Sequence, residues 1–326
     1  MRNNVMKLLF EWIGLVVVAG FFVGWAEALR RLARKQPVLP GVSRQPAPWG
    51  LLDLLLATLL LMTFQLVNAL VLAKGLGIEP AKIGWDKLPL PSLALLLFCE
   101  PAVNLTAIAV ALAAIRLRTR AQLADFGLVL RQVPEDLALG AAAFAMLAPP
   151  VYALQRLLTI WIPYEHPLIS VLQTNPQPLL QVAVFFSAVV AAPIVEELFY
   201  RVLWQGWLQT SARRRQDFLQ LVLGRTAAPL PSEPAPSGPG SDGAADRAPL
   251  TRGAETAAIL VSSAMFASMH FSQGAAPIPL FVLAVGLGYV YARTGRVLPC
   301  IVVHVLLNAT SLMMLWLGAD AGAPPS

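Results

Sequence analysis

Eight apolar stretches, separated by polar connections, dominate the chain. They fall near residues 8–29, 51–73, 91–115, 137–161, 179–208, 255–272, 277–292 and 297–317. An α-helix needs about 20 mainly apolar residues to cross the hydrocarbon core of a bilayer. The sixth and seventh stretches are shorter than the others. The pattern predicts an all-α, polytopic membrane protein with about eight transmembrane helices.

The composition points to the same class. Of the 326 residues, 57% are hydrophobic and only 13% are charged, whereas soluble domains carry about 25% charged residues. The two cysteines, Cys99 and Cys300, provide neither a disulfide framework nor a cysteine-based metal site. The general character of the sequence resembles that of bacterial membrane proteins. We therefore expect a multi-pass protein of the bacterial inner membrane, in contact with membrane lipid.

The basic residues are unevenly distributed between the two sets of connections. The connections at 30–50, 116–136, 209–254 and 293–296 hold 17 Lys and Arg residues, and the alternate set holds 5. Because basic residues are retained on the cytoplasmic side, this asymmetry predicts both termini outside. It also accounts for the formal charge of +6 as a signal of membrane orientation, and we expect no nucleic-acid partner.

Three charged residues interrupt the fifth apolar stretch, which contains the sequence Pro193-Ile-Val-Glu-Glu-Leu-Phe-Tyr-Arg201. A charge in the middle of a membrane helix costs roughly 2.5–3.5 kcal/mol. Glu197 and Arg201 are four positions apart and can pair on one helical face. Glu196 has no basic residue at helical spacing, so its carboxylate is left available.

The remaining polar candidates lie on two later apolar stretches. Phe266 and His270 are four positions apart, as are His304 and Asn308, so each pair shares a helical face. The third histidine, His166, is in an external connection and is interpreted as a loop residue. Ionisable groups inside a membrane indicate a functional site by default.

Water-mediated hydrolysis is the chemistry that these residue types support. A carboxylate in an apolar pocket can act as a general base, and a histidine can orient the same water or carry its proton. Histidine and asparagine donors aimed at one point can form an oxyanion site. Two histidines and a carboxylate could instead bind zinc, although the helix with two histidines four apart that is typical of metalloproteases is missing from the sequence.

The motifs Glu-Glu-x-x-x-Arg at 196–201, Phe-x-x-x-His at 266–270 and His-x-x-x-Asn at 304–308 occur in that order. This arrangement resembles the CAAX protease and bacteriocin-processing (Abi) family of intramembrane glutamic endopeptidases. The resemblance covers about 180–312. It divides the chain into N-terminal transmembrane helices at 1–178 and a catalytic helix core at 179–317.

The resemblance implies a role for each motif residue. Glu196 would activate the attacking water with help from His270, and His304 and Asn308 would form the oxyanion hole. Glu197, Arg201 and Phe266 would support these residues, and no cofactor or metal would be needed. The substrate would be a peptide or protein with a segment that reaches the membrane.

The chain departs from the family pattern in one spacing. Arg201 and His270 are 69 positions apart because a segment rich in Pro, Gly and Ser, at about 211–252, separates them. Such a composition cannot bury a core and predicts a flexible cytoplasmic linker.

Three other functions remain open at this level. The same residues could serve a zinc-dependent peptidase, which chelators would inactivate. Glu196 and His270 could form a proton relay in a transporter, which would move a substrate without cleaving it. A non-catalytic immunity protein could retain the fold, although the complete set of Glu, His, His and Asn argues against this.

The predicted topology places His304 near the inner leaflet and His270 nearer the outer leaflet. A shared site therefore requires that the sixth helix starts later than residue 255, that it is broken near Gly274, or that the topology differs there.

The basic asymmetry predicts that residue 237, in the 209–254 connection, is cytoplasmic. A Ser237→Cys variant in intact cells should therefore resist a membrane-impermeant thiol reagent and react after the cells are permeabilised. Labelling of the intact cells would show that the orientation is inverted.

Overall fold

Helices provide all the regular secondary structure in the part of the chain that the computed structural model describes, which is residues 2–42, 46–77, 88–163, 172, 177–213, 218–224 and 252–317. The main helices are α1 (Arg2–Ala33), α2 (Leu51–Leu76), α3 (Leu90–Thr119), α4 (Val133–Leu158), α5 (Pro178–Ala212), α6 (Phe218–Leu223), α7 (Arg252–Ser268), α8 (Pro277–Thr294) and α9 (Leu298–Trp316). The all-α prediction is confirmed.

Seven of the described helices are long and apolar enough to cross a membrane, namely α1 to α5, α8 and α9. The predicted eighth segment is α7, which has 17 residues and is shorter than the roughly 20 residues that span the hydrocarbon core. The chain is therefore an integral, multi-pass membrane protein in which α7 is the shortest of the predicted segments.

The sixth predicted segment, near 255–272, corresponds to α7, which is shifted by three to four residues toward the N-terminus. The helix begins at Arg252 and ends at Ser268, and a short 3₁₀ turn then leads to Gly274. Gly274 has φ 61°, a left-handed conformation that glycine adopts without steric cost. The helix is thus interrupted around His270. A break near Gly274 was one of the three conditions under which His270 and His304 could share a site.

Most of the predicted linker lies outside the described residues, which include neither 214–217 nor 225–251. Ser237 falls in the second of these gaps, and His166 lies in another, at 164–171. The cytoplasmic location of residue 237 and the loop position of His166 therefore remain predictions.

The helix α4 lies between three others, because α1, α8 and α9 all pack against it. Gly140 shows how close the contact with α9 is. A Cβ atom at this position would lie 2.5 Å from Cβ of Val302 and 3.0 Å from the carbonyl oxygen of Pro299. Small residues permit such an approach between membrane helices, so any larger side chain at 140 would separate α4 from α9.

The four basic connections meet at one end of the bundle. Backbone and side-chain hydrogen bonds join their described parts: Val42 N–H to Arg293 O at 3.0 Å, Val297 N–H to Gly127 O at 3.1 Å and Ala47 N–H to Thr210 Oγ1 at 2.7 Å. The opposite ends of the helices therefore carry the connections with few basic residues. This grouping agrees with the distribution of charge, and which side is cytoplasmic stays a prediction.

Trp49, in the connection before α2, fastens the N-terminal helices to α5. Its Nε1–H donates a hydrogen bond to the carbonyl oxygen of Leu203 over 3.1 Å. The indole also stacks on Phe126, with the ring centroids 5.3 Å apart, and it is almost fully buried. The position of the C-terminal half of α5, around Leu203, is therefore set by residues that precede α4.

Candidate active site

The helix α5 carries both candidate glutamates and changes its hydrogen-bonding pattern on either side of them. Two π-helical segments, Phe185–Ala191 and Leu198–Gln205, flank the α-helical turn Ala192–Glu197. A π-helix bonds residue i to i+5 and is frequent at functional sites. Each π segment changes which face of the helix the following residues occupy, and the two glutamates lie between these changes.

Glu197 and Arg201 form a fully buried ion pair. Arg201 Nε–H donates to Glu197 Oε2 over 3.0 Å, and both side chains have no exposed surface. The pairing follows from their spacing of one helical turn. His304 on α9 contacts the same carboxylate, with its Nδ1 atom 3.0 Å from Glu197 Oε1. Glu197 thus joins α5 to α9.

Glu196 has a different environment. About 28% of its side chain is exposed, and its Oε2 lies 3.7 Å from Nε2 of His304. His270 is also within electrostatic range of this carboxylate. From the sequence, Glu197 is expected to pair with Arg201 and Glu196 to stay available. The contacts of the two glutamates differ in the same way.

Phe266 holds the aromatic and basic groups of the site together. Its ring is fully buried and lies 5.1 Å from the His270 ring and 5.8 Å from the His304 ring, between centroids. The guanidinium carbon of Arg201 is 5.7 Å from the same ring, at a distance suited to a cation–π contact. Tyr200 meets the ring edge-on at 5.4 Å. One ring of α7 therefore orients groups from α5 and α9.

The break at the end of α7 determines how His270 is presented. Its Nδ1 atom lies 3.1 Å from the carbonyl oxygen of Phe266. A carbonyl oxygen only accepts, so Nδ1 carries the hydrogen and donates. In the neutral ring, Nε2 is then left as the acceptor.

Asn308 compensates for a donor that Pro193 lacks. In the π segment, the Ala192 N–H bonds to the carbonyl oxygen of Ser187. The next bond in this pattern would run from residue 193 to the carbonyl oxygen of Ala188, but proline has no N–H. Asn308 Nδ2–H donates to that oxygen over 2.8 Å. The amide of α9 thus completes the hydrogen bonding of α5 and leaves its second N–H available.

A second polar network continues from Arg201 toward the C-terminal end of α5. It was not predicted from the sequence. Arg201 Nη1–H donates to Ser262 Oγ over 3.4 Å, and Ser262 Oγ–H donates to Gln205 Oε1 over 3.2 Å. Gln205 Nε2–H then donates to the carbonyl oxygen of Gly288 over 2.8 Å. Gln205 follows Arg201 by one helical turn, and this spacing is the signal that could have identified it.

The three motifs thus converge on one region formed by α5, α7 and α9. The motif residues that the structure brings together are Glu196, Glu197, Arg201, Phe266, His270 and His304. Asn308 is one helical turn beyond His304, and its amide is directed at the backbone of α5. Within the described ranges, no three His, Cys, Asp or Glu side chains form a group with metal-binding geometry.

A cavity of about 1150 Å³ lies elsewhere, between α1, α4 and α8. Trp25, Met146 and Tyr289 are among its lining residues, and none of the motif residues lines it. The cavity is therefore separate from the three motifs and gives no information on their chemistry.

Comparison with protein families gives a match over residues 178–310 to the type II CAAX prenyl endopeptidase Rce1-like family. Comparisons with curated proteins and with solved structures gave no match. The matched range contains all seven motif residues and agrees with the resemblance seen over about 180–312. Residues 178–310 therefore form a domain of the Rce1-like type II CAAX endopeptidase type, which supports the assignment of the chain as a membrane protease.

Proposed function

We propose that this protease hydrolyses a peptide bond with a water molecule that Glu196 activates. The observation that carries the proposal is the contrast between two adjacent glutamates. Glu197 is fully buried and bonded to Arg201 and His304, whereas Glu196 keeps about 28% of its side chain exposed. A general base must be within reach of the proton it removes, and Glu196 meets this requirement better than Glu197.

His270 would assist the same water. Because its Nδ1–H is bonded to the Phe266 carbonyl, the neutral ring presents Nε2 as an acceptor. An acceptor at this position can hold the water in line or take up its proton. The break of α7 after Ser268 supports this role, because the histidine then belongs to a turn and its ring is fixed from one side only.

His304 and Asn308 would stabilise the developing oxyanion. Nδ1 of His304 is engaged with Glu197, so donation to substrate would come from Nε2, and both ring nitrogens would then carry hydrogens. The second amide N–H of Asn308 would be the other donor. Two preorganised donors stabilise a tetrahedral intermediate more strongly than water does, because they need no reorganisation during the reaction.

The substrate in this proposal is a peptide or protein whose cleaved segment reaches the membrane. A C-terminal segment carrying a lipid would fit the family name. The location would be the inner membrane of a bacterium. The reaction needs no metal ion in this scheme, since a carboxylate deprotonates the water and hydrogen-bond donors take the place of a Lewis acid.

Cleavage of a quenched peptide library by the purified protein in liposomes tests this function. We expect wild-type protein to release fluorescence and Glu196→Gln to lose turnover while folding normally, because only the proton acceptor is changed. The matched control is Glu135→Gln, which alters an exposed glutamate in the first turn of α4 and should retain full activity. Activity in Glu196→Gln would overturn the proposed role of this residue.

Glu197→Gln should behave differently from Glu196→Gln. Removal of the carboxylate leaves a buried guanidinium without its counter-charge, which costs about 3–5 kcal/mol of folding free energy. Both the amount of folded protein and the activity should fall, as measured by thermal unfolding and by turnover per folded molecule. If the two variants show equal losses of turnover at unchanged stability, the two glutamates do not have separate roles.

Strong chelation should leave the activity unchanged, because the proposed donors and base are all side chains. The measurement is peptidase activity before and after treatment with a chelator, together with the metal content of the purified protein. We expect no stoichiometric transition metal. Inactivation by the chelator and rescue by zinc would instead make His304 a metal ligand.

Asn308→Ala should reduce both stability and kcat. It leaves the Ala188 carbonyl without a donor, which costs about 1–3 kcal/mol, and it removes an oxyanion donor, which lowers kcat by about 10²–10³. Pro193→Ala supplies a backbone N–H close to that carbonyl. The double variant should therefore regain thermal stability but not kcat. Recovery of kcat as well would show that Asn308 only positions α5.

A further inference from the structure

Four side chains with an amide or carboxyl group interrupt the apolar middle of α2 and α3. They are Gln65 and Asn68 on α2 and Glu100 and Asn104 on α3. Their spacings of three and four residues put each pair on one face of its helix. Gln65 Nε2–H donates to Asn104 Oδ1 over 3.1 Å, so the two faces lie side by side. These four residues are called the polar face below.

The polar face lies deep within the spanning helices. Gln65 and Asn104 are each more than ten residues from both ends of their helices, or at least about 16 Å at 1.5 Å per residue. The hydrocarbon core is only about 30 Å thick. Because α2 and α3 run antiparallel, Asn68 and Glu100 both lie one turn from the bonded pair, in the same direction. The polar face therefore has two levels, each with one residue from α2 and one from α3.

The second level is incomplete within one molecule. Glu100 is exposed on the surface of the bundle, and neither Glu100 nor Asn68 has a hydrogen-bonding or ion-pairing partner among the described residues. Lipid chains cannot replace water as a partner for these groups. Ionisable residues in membrane helices almost always face protein or a water-filled cavity. An exposed carboxyl at this depth therefore indicates that another protein surface covers it.

We propose that the polar face is the interface between two copies of this chain in the membrane. Two copies with the same orientation are related by a two-fold axis along the membrane normal. This symmetry brings each residue against residues at its own depth, so each polar level meets the same level of the partner copy.

The chemistry of the face is self-complementary. Carboxamides both donate and accept hydrogen bonds, and a protonated carboxyl has an O–H donor beside a carbonyl acceptor. Asn68 and Glu100 can therefore bond to their counterparts across the axis. A different transmembrane helix would have to supply matching polar groups at two depths, whereas a second copy supplies them by symmetry.

Disulfide cross-linking of the full-length chain in membranes tests the proposal directly. In a Cys99→Ala/Cys300→Ala background, Ala69→Cys places a thiol beside the polar face, because residue 69 is one turn from Gln65, and it keeps all four polar residues. Leu70→Cys is the matched control, since Leu70 is 59% exposed and points away from the polar face at nearly the same depth. Oxidation should give a covalent dimer with Ala69→Cys and little with Leu70→Cys.

Equal cross-linking at both positions, at neither, or only to a different protein would overturn the proposal. A second measurement is the dimer dissociation constant in liposomes, obtained from single-molecule photobleaching of the labelled chain. Asn68→Leu/Glu100→Leu should raise this constant by about tenfold or more, as expected for the loss of two interhelical hydrogen bonds. The thermal unfolding of the double variant serves as the folding control, and a wild-type chain that stays monomeric would also contradict the proposal.

Discussion

The burial of Arg201 in a membrane-spanning helix is the constraint on which the site depends. A guanidinium cannot lose its charge in a protein, and this one has no exposed surface. Its counter-charge must therefore be held in place, and Glu197 provides it one turn away. Because His304 then bonds to Glu197, the position of α9 against α5 follows from the need to neutralise one buried cation. Glu196, the adjacent carboxylate, does not pair with Arg201 and stays partly exposed.

The irregular backbone of α5 adds a second link between the same two helices. A regular α-helix satisfies its own carbonyl groups and offers its neighbours nothing to bond to. In α5, Pro193 and the preceding π segment release the Ala188 carbonyl, and Asn308 takes it as an acceptor. The contact of His304 with Glu197 and the bond from Asn308 to the Ala188 carbonyl hold α9 against α5 at two levels, one helical turn apart. A departure from ideal geometry thus fixes the orientation of the Asn308 side chain.

Regular spacing along the sequence made part of this arrangement predictable. The part that depends on contacts between distant segments could not be predicted. The apolar runs gave the helices, and the four-residue spacing of Glu197 and Arg201 gave the ion pair. The bond from Gln205 to Gly288 joins two helices across 83 positions, and no local pattern encodes it. The end of α7 at Ser268 was missed because the apolar residues continue beyond it. Glu100 was overlooked because a single carboxyl in a long apolar run has no periodic signal.

The N-terminal helices do more than anchor the matched domain. All motif residues lie within 178–310, yet α3 packs along the first half of α5, with Leu93 and Leu97 in one cluster with Leu180. Trp49 bonds to the second half of the same helix. The helix that carries both glutamates is thus held by α9 on the catalytic side and by residues outside the matched range along the rest of its length. A fragment that begins at residue 178 would keep every motif residue and lose the packing that keeps α5 in position.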